Sequence, residues 1–215
     1  IRPKLWQKKN HHFFKKIFTW SPELVDEEKY IRIYWPNLID IKKQEKSKPN
    51  LCCMISANKK NYHPNSLYPK RLEIIKWFEK NHPNEFDLYG IGWDKYVFGN
   101  KLDSVLTKFH LGKLFFNQRT SYRGKIVNKA IVLKDYKFSF CLENAFGFNG
   151  YITEKIFDAF FSFSIPIYMG APDVKKYIPP NTFIDINKFK SIKELYSHLS
   201  KMDNNEYDNY LHNIH

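Results

Sequence analysis

The chain has 215 residues, of which 43% are hydrophobic and 18% aromatic, and its 35 Lys and Arg against 22 Asp and Glu give a net charge of +13. This apolar content excludes a disordered polycation, and 8 glycines and 3 cysteines exclude collagen-like and disulfide-scaffold proteins. Unless a skewed genome composition produced it, the charge predicts an anionic partner such as nucleic acid, an acidic membrane surface or a nucleotide-sugar diphosphate.

The first 48 residues are predicted to form a unit of their own. Apolar and polar residues alternate over 30–35, which predicts a strand that Pro36 stops. The polar stretch 42–50 has the composition of a linker, although an ordinary surface loop would look the same. We therefore divide the chain into residues 1–48 and residues 49–215.

Strand and helix patterns alternate in the second unit. We predict strands at 51–55, 86–89, 138–142, 165–169 and 183–185. We predict helices after Pro69, at 125–133, after Thr153 with Phe157, Phe160 and Phe161 on one face, and after Ser191. This alternation predicts an α/β fold with a doubly wound, mostly parallel sheet, which binds ligands at the carboxyl ends of its strands. Glu143 and Asn144 follow one predicted strand directly.

The segment 138–155, FSFCLENAFGFNGYITEK, combines a strand, a glycine-containing loop and a helix start. If Thr153 caps the helix, Glu154 and Lys155 lie in its first turn, where free N–H groups attract phosphate. Lys155 would add a positive charge, and Arg71 could bind a phosphate through two donors. An ordinary helix start with a solvent-facing lysine would have the same sequence.

The segment 136–210 resembles the α-1,3-fucosyltransferases of glycosyltransferase family 10. The residues that carry the resemblance are YKFSFCLENAFGFNGYITEKIFDAFFSFSIPIYMGAPDVKKYIPPNTFIDINKF. They match F-x-L-x-[FL]-E-N, Y-[VI]-T-E-K, P-[IV]-x-x-G-[AS]-P and P-x-[ST]-F-[IV], in that order. Looser matches at 18–20, 88–93 and 122–124 extend the resemblance over most of the chain.

The resemblance implies a GT-B type glycosyltransferase. Residues 49–215 would be the Rossmann-like domain that binds GDP-fucose, and residues 1–48 an incomplete remnant of the N-terminal, acceptor-side domain. The implied reaction is an inverting, metal-independent transfer of L-fucose from GDP-fucose to a GlcNAc-type hydroxyl of a glycan, with no cofactor besides the donor substrate. The sequence agrees in one respect, since it contains no D-x-D triplet of the kind that binds Mg²⁺ or Mn²⁺ in many such enzymes.

The resemblance also implies roles for individual residues. Arg71 and Lys155 would bind the diphosphate, and Glu154 would contact the fucose ring and stabilise its oxocarbenium-like charge. The resemblance thus implies that Glu154 is the catalytic residue and that Arg71 and Lys155 bind the donor.

Four further residues would bind the rest of the donor. Asn144 and Tyr151 would hold the nucleotide sugar, and Tyr122 and Arg123 would contact its guanosine portion. Tyr151 could instead pack in the core, and Arg123 could be one more solvated charge. The loop between Asn144 and Tyr151 is a residue longer than in many relatives.

The general base of the transfer is not identified from the sequence. A carboxylate or histidine must take the proton of the acceptor hydroxyl. The candidates near the start of the chain are expected to face solvent: Glu23, Asp26, Glu27, Glu28, His11 and His12. One hypothesis is therefore that the chain binds GDP-fucose without transferring fucose on its own.

Two other functions remain as alternatives. A different GT-B transferase, with another nucleotide sugar, would share the Glu and Lys at a helix start. A nucleic-acid-binding protein would explain the charge, but the basic residues are scattered and form no recognised nucleic-acid-binding motif, so no nucleic-acid partner is expected.

Cysteine and asparagine usage predict the compartment. Cys52 and Cys53 are adjacent and would point to opposite faces of a strand, Cys141 is distant, and no N-x-[ST] acceptor occurs. We therefore predict a reducing, cytoplasmic location, with peripheral association at an anionic membrane left open, and a Golgi location if the source is eukaryotic.

Overall fold

The computed structural model describes residues 7–34, 48–94 and 119–214. In the first range, β1 (Ile17–Thr19) and β2 (Tyr30–Arg32) form a small parallel sheet. Strand β2 is shorter than the predicted strand at 30–35, because its partner offers only three residues for pairing. Residues 35 and 36 and most of the predicted linker at 42–50 lie outside the described residues.

Within the described residues, the larger sheet has six parallel strands. They are β3 (Asn50–Ile55), β4 (Phe86–Tyr89), β5 (Tyr122–Gly124), β6 (Tyr136–Leu142), β7 (Ile165–Met169) and β8 (Ile184–Asp185). Their order is β5-β4-β3-β6-β7-β8. The strand order therefore changes direction between β3 and β6, and the crevice outside their carboxyl ends is where such sheets bind ligands. The predicted doubly wound α/β sheet is confirmed.

Helices cover both faces of this sheet. They are α1 (Tyr68–Asn81), α2 (Lys129–Leu133), α3 (Glu154–Phe161), α4 (Ile192–Lys201) and α5 (Asn204–Ile214). Cys52 and Met54 of β3 belong to the core with α1, α4 and α5, whereas Cys53 packs with Leu133 of α2. Adjacent cysteines thus point to opposite faces, and all three cysteines are free. No helix within the described ranges has the length and apolarity needed to cross a membrane.

Two helix predictions need correction. The helix predicted at 125–133 begins only at Lys129, because the Asn128 side chain caps it by accepting the N–H of Ala130. In α3 the fully buried residues are Ile156 and Ala159, while the predicted phenylalanine face is only partly buried. Apolar residues cover more than one face of α3, and the small Ala159 allows the helix to approach the sheet closely.

Candidate functional site

Strand β6 is followed by a carboxylate that is shielded from solvent. The Glu143 side chain is 0% exposed, and its oxygens accept the backbone N–H of Thr153 at 2.8 Å and the Thr153 hydroxyl at 2.8 Å. The Lys155 ammonium donates to the same carboxylate at 3.0 Å. Thr153 stands directly before α3 as predicted, but its hydroxyl does not cap the helix. The Thr153 hydroxyl donates to the buried Glu143 carboxylate instead, since a buried charge requires hydrogen-bonding partners.

The first turn of α3 presents charges of both signs. Lys155 Nζ also donates to the Thr153 hydroxyl at 2.7 Å, and Glu154 Oε1 lies 3.8 Å from Lys155 Nζ and 3.7 Å from Lys129 Nζ. Burial raises the pKa of Glu154, but the positive charges of Lys155 and Lys129 and a backbone N–H outweigh it, so the net pKa lies below its ordinary value. Glu154 is therefore a carboxylate at neutral pH.

Helix α1 brings Arg71 to the same end of β6 from the opposite face of the sheet. Its Nη2 donates to the backbone oxygens of Leu142 at 2.7 Å and Glu143 at 2.8 Å, and to Asn144 Oδ1 at 3.1 Å. The guanidinium carbon lies 4.6 Å from the centroid of the Tyr68 ring. Burial lowers the pKa of Arg71, although an arginine remains protonated at neutral pH.

A cavity of about 230 Å³ opens beside Arg71, and Asn58, Tyr68 and Trp93 also line it. The side-chain hydrogen bonds of Arg71 to Leu142, Glu143 and Asn144 all leave from Nη2. The N–H groups on Nε and Nη1 remain to bind a ligand in this cavity.

Asn144 joins Arg71 to Tyr151. The Tyr151 hydroxyl lies 3.5 Å from Asn144 Nδ2, and the Tyr151 ring packs at 4.9 Å against Trp20 of the N-terminal range. Burial raises the pKa of Tyr151, so its hydroxyl keeps its proton. Five predicted site residues thus lie together, and we call them, with Glu143, the strand-end cluster: Arg71, Asn144, Tyr151, Glu154, Lys155 and Glu143.

Tyr122 and Arg123 are placed apart from this cluster, on β5. The Tyr122 hydroxyl donates to the Gly90 backbone oxygen at 2.9 Å, and Arg123 Nε lies 2.5 Å from Asp87 Oδ1. Strand β5 is an edge strand, and β4 separates it from β3. Among the described residues, the hydrogen bonds and ion pairs of these two side chains lead to residues outside the strand-end cluster.

Glu143 belongs to the site, although the sequence predicted no role for it. Its position after a strand was evident, but a single sequence does not show whether a carboxylate at that point turns inward. One expectation about the candidate bases is wrong: His11 is only 7% exposed, because its Nδ1 bonds to the Tyr30 hydroxyl at 2.9 Å. His12 and the four acidic residues at 23–28 are exposed, as predicted.

No set of three or more His, Cys, Asp and Glu side chains in residues 7–34, 48–94 and 119–214 is placed to hold a metal ion.

Comparison with known proteins identifies a family. The family described as glycosyltransferase family 10 (fucosyltransferase), C-terminal part, matches residues 45–213. The chain is 41% identical over 144 residues to an α-(1,3)-fucosyltransferase of Helicobacter pylori, covering 60% of this chain and 30% of that protein. It is 36% identical over 156 residues to GDP-fucose protein O-fucosyltransferase 3 of Xenopus laevis, covering 71% of this chain and 31% of that protein.

A solved structure shares the fold. The crystal structure of an α1,3-fucosyltransferase with GDP-fucose matches with a TM-score of 0.59 at 22% identity, over 92% of this chain and 61% of that chain. This likeness confirms the predicted GT-B type fold class. The chain spans just under a third of the length of the two curated relatives, at 30% and 31%.

Proposed function

The chain belongs to glycosyltransferase family 10, the fucosyltransferases, and on this premise we propose that it binds GDP-fucose and takes part in the transfer of L-fucose to a glycan. The proposed transfer inverts the configuration at the anomeric carbon, requires no metal ion and uses a GlcNAc-type hydroxyl as acceptor.

One observation supports donor binding above all. Arg71 and Lys155 come from opposite faces of the sheet and flank the end of β6, at the point where the strand order changes direction. A diphosphate between them would meet two cations, the N–H groups at the start of α3 and the cavity beside Arg71. This arrangement suits the pyrophosphate of a nucleotide sugar.

The chemistry follows from where charge develops. As the bond between fucose and the β-phosphate breaks, negative charge grows on GDP and positive charge grows on the fucose ring. Arg71 and Lys155 offset the charge on GDP, which is how the protein replaces a metal ion. Glu154, which is ionised at neutral pH, stabilises the charge on the sugar.

The remaining predicted residues complete the donor site. Asn144 and Tyr151 hold the nucleotide sugar, and the packing of Trp20 on Tyr151 keeps that ring in place. Tyr122 and Arg123 contact the guanosine portion. The hydrogen bond from the Tyr122 hydroxyl to the Gly90 backbone oxygen supports this assignment, because Gly90 follows the carboxyl end of β4, where such a sheet binds ligands.

Two further parts of the proposal concern the chain as a whole. The division at residue 48 is supported by the family match, which begins at residue 45. A reducing, cytoplasmic location is supported by the three free, buried cysteines.

Product analysis tests the transfer itself. The chain is incubated with GDP-fucose and N-acetyllactosamine, with and without EDTA, and the product is examined by NMR; UDP-galactose serves as a control donor. We expect an α-linked fucoside in both conditions and no product from UDP-galactose. A β-linked product would contradict inversion, and loss of product with EDTA would contradict metal independence. Donor binding without any product would limit this chain to the donor-binding role.

A further inference from the structure

A second cavity, of about 410 Å³, lies beside the loop that carries Tyr151. Gly150 and Ile152 line it, so the two residues that flank Tyr151 belong to its wall. Arg32 and Tyr34 from the N-terminal range and Lys176 and Tyr177 from the segment after β7 also line it. We call it the Arg32 cavity. It adjoins the strand-end cluster through a single loop.

Two aromatic rings and a backbone oxygen position Arg32 at this cavity. Its guanidinium carbon lies 5.1 Å from the centroid of the Tyr34 ring and 5.2 Å from that of the Tyr177 ring, and its Nη1 donates to the Trp20 backbone oxygen. A Cβ placed on Gly150 would lie 2.9 Å from Arg32 Nη2. The guanidinium therefore packs directly against the backbone of the loop that leads to Tyr151.

The cations of the Arg32 cavity have no acidic partner within the described ranges. Neither Arg32 nor Lys176 forms an ion pair there, whereas the adjacent Lys175 lies 3.5 Å from Asp185. The carboxylate of Asp173 accepts the backbone N–H of Gly150 at 2.7 Å and forms no ion pair with either cation. Two positive charges outside any ion pair, on a partly enclosed surface, attract an anion more strongly than isolated surface lysines do.

The wall of the cavity indicates an organic ligand rather than an inorganic ion. Tyr34 is 67% exposed and offers its ring to the cavity, which Ile152 and Phe157 also line. Small-molecule sites of roughly 300–1,000 Å³ combine such apolar surface with a few polar groups that fix orientation. A sugar with an acidic substituent has both features, since its C–H face packs on an aromatic ring and its charge pairs with arginine or lysine.

We propose that the Arg32 cavity binds a carboxylate or phosphate group on a sugar of the acceptor glycan. This inference rests on the proposed function, because it takes the acceptor to be a glycan. A glycan that reaches the fucose donor at the strand-end cluster can extend across Gly150 into the cavity. Arg32 and Lys176 then select acceptors that carry negative charge near the fucosylated residue.

Calorimetric titration of the full chain tests this site with three probes. They are a glucuronic acid–N-acetylglucosamine disaccharide, N-acetylglucosamine 6-phosphate and neutral N-acetyllactosamine; the first two distinguish a carboxylate from a phosphate. The variants are Arg32→Gln and Lys176→Gln, with Lys175→Gln as the matched control, because it removes the same charge from the adjacent residue. GDP-fucose is titrated into every variant.

We expect at least one acidic probe to bind about tenfold more tightly than the neutral one at low salt. Lys176→Gln and Arg32→Gln should each weaken it about fivefold or more, while Lys175→Gln changes it less than about twofold. Lys176→Gln should leave the affinity for GDP-fucose unchanged. This result would show that the Lys176→Gln protein is folded, so the test remains valid even if Arg32→Gln perturbs the loop.

Two results would overturn the inference while leaving the proposed function intact. One is GDP-fucose binding with no preference for an acidic probe, and the other is an equal loss of affinity in Lys175→Gln and Lys176→Gln. Acidic-probe binding without GDP-fucose binding would instead contradict the proposed function and, with it, the acceptor role of the cavity.

Discussion

At the residue scale, Glu143 holds the strand-end cluster together. Its carboxylate accepts from the Thr153 backbone, the Thr153 hydroxyl and Lys155 in a fully buried position. In Glu143→Gln an amide group, itself a donor, would face these donors. We expect the free energy of unfolding, measured in urea, to fall by about 1–3 kcal/mol.

The control for this measurement is Glu73→Gln. Glu73 pairs with Lys70 at 2.8 Å on the exposed surface of α1, with 55% of its side chain accessible. Such a pair contributes at most about 1 kcal/mol. If the two substitutions cost the same, Glu143 does not stabilise the cluster.

Glu154 gives the site a predictable pH dependence. Because its net pKa lies below the ordinary value, its charge is present throughout the neutral range and is lost only as the pH falls through that lowered pKa. We expect the ratio of GDP-fucose affinity to GDP affinity to stay constant between about pH 6 and 8.

Glu154→Gln keeps the size of the side chain and removes its charge. We expect it to weaken GDP-fucose binding relative to GDP binding, because in the proposed donor site only the fucose of the sugar nucleotide would contact this residue. Competition titrations at neutral pH measure the ratio. An unchanged ratio would place the fucose elsewhere.

Single residues also show how far the sequence could predict the site. The positions of Glu154 and Lys155 were predictable because a helix start places them within its first turn, although Thr153 does not cap this helix through its hydroxyl. The inward turn of Glu143 and the burial of His11 were not predictable. Glu143 depends on Thr153, which follows a loop, and His11 depends on Tyr30, which is distant in the sequence.

At the element scale, Lys48 connects two helices on one face of the sheet. Its ammonium donates to the backbone oxygens of Leu133 at 3.3 Å, Lys134 at 2.7 Å and Ser162 at 2.9 Å, at the ends of α2 and α3. Burial lowers the pKa of Lys48 to about 8, although the charge of Asp135 opposes this shift. Burying the protonated Lys48 side chain therefore costs solvation free energy.

The sign of the resulting pH dependence follows from linkage. An unfolded lysine has a pKa near 10.5, so between about pH 8 and 10.5 the unfolded chain binds more protons than the folded one. The Lys48 contribution to the free energy of unfolding therefore rises with pH in this window. Below about pH 8 the group is protonated in both states and its contribution is constant.

Lys48→Met tests this prediction. We expect the wild-type protein to gain stability relative to the variant as the pH rises from about 8 to 10, measured by urea unfolding at matched ionic strength. All other titrating groups are common to both proteins and cancel in the difference. A difference that does not change with pH would mean that Lys48 titrates normally.

The elements themselves differed in how well the sequence predicted them. Strands β3, β6 and β7 were recognised because buried parallel strands are continuous apolar runs. Helix α5 was missed because it is polar and contains no buried residue, and β5 was missed because it is a three-residue edge strand. The buried face of α3 was misassigned because its apolar residues fit more than one face.

At the scale of the whole molecule, the strand order creates the site. Alternating strand and helix patterns predicted a parallel sheet, but they contain no information on which strands are neighbours. The pairing of β3 with β6 brings Arg71 and Lys155, from opposite faces, to one strand end. Their joint role was inferred from a resemblance and could not have been derived from spacing.

The central claim is that this strand end binds the diphosphate of GDP-fucose without a metal ion. Calorimetric titration with GDP-fucose, with and without EDTA, tests it in wild type, in Lys155→Ala and in the control Lys193→Ala, which removes an exposed lysine of α4. We predict saturable binding that EDTA does not change. Lys155→Ala should weaken it about ten- to hundredfold, and Lys193→Ala should have no effect. Binding that requires a metal ion, or equal affinities in the two variants, would contradict this account.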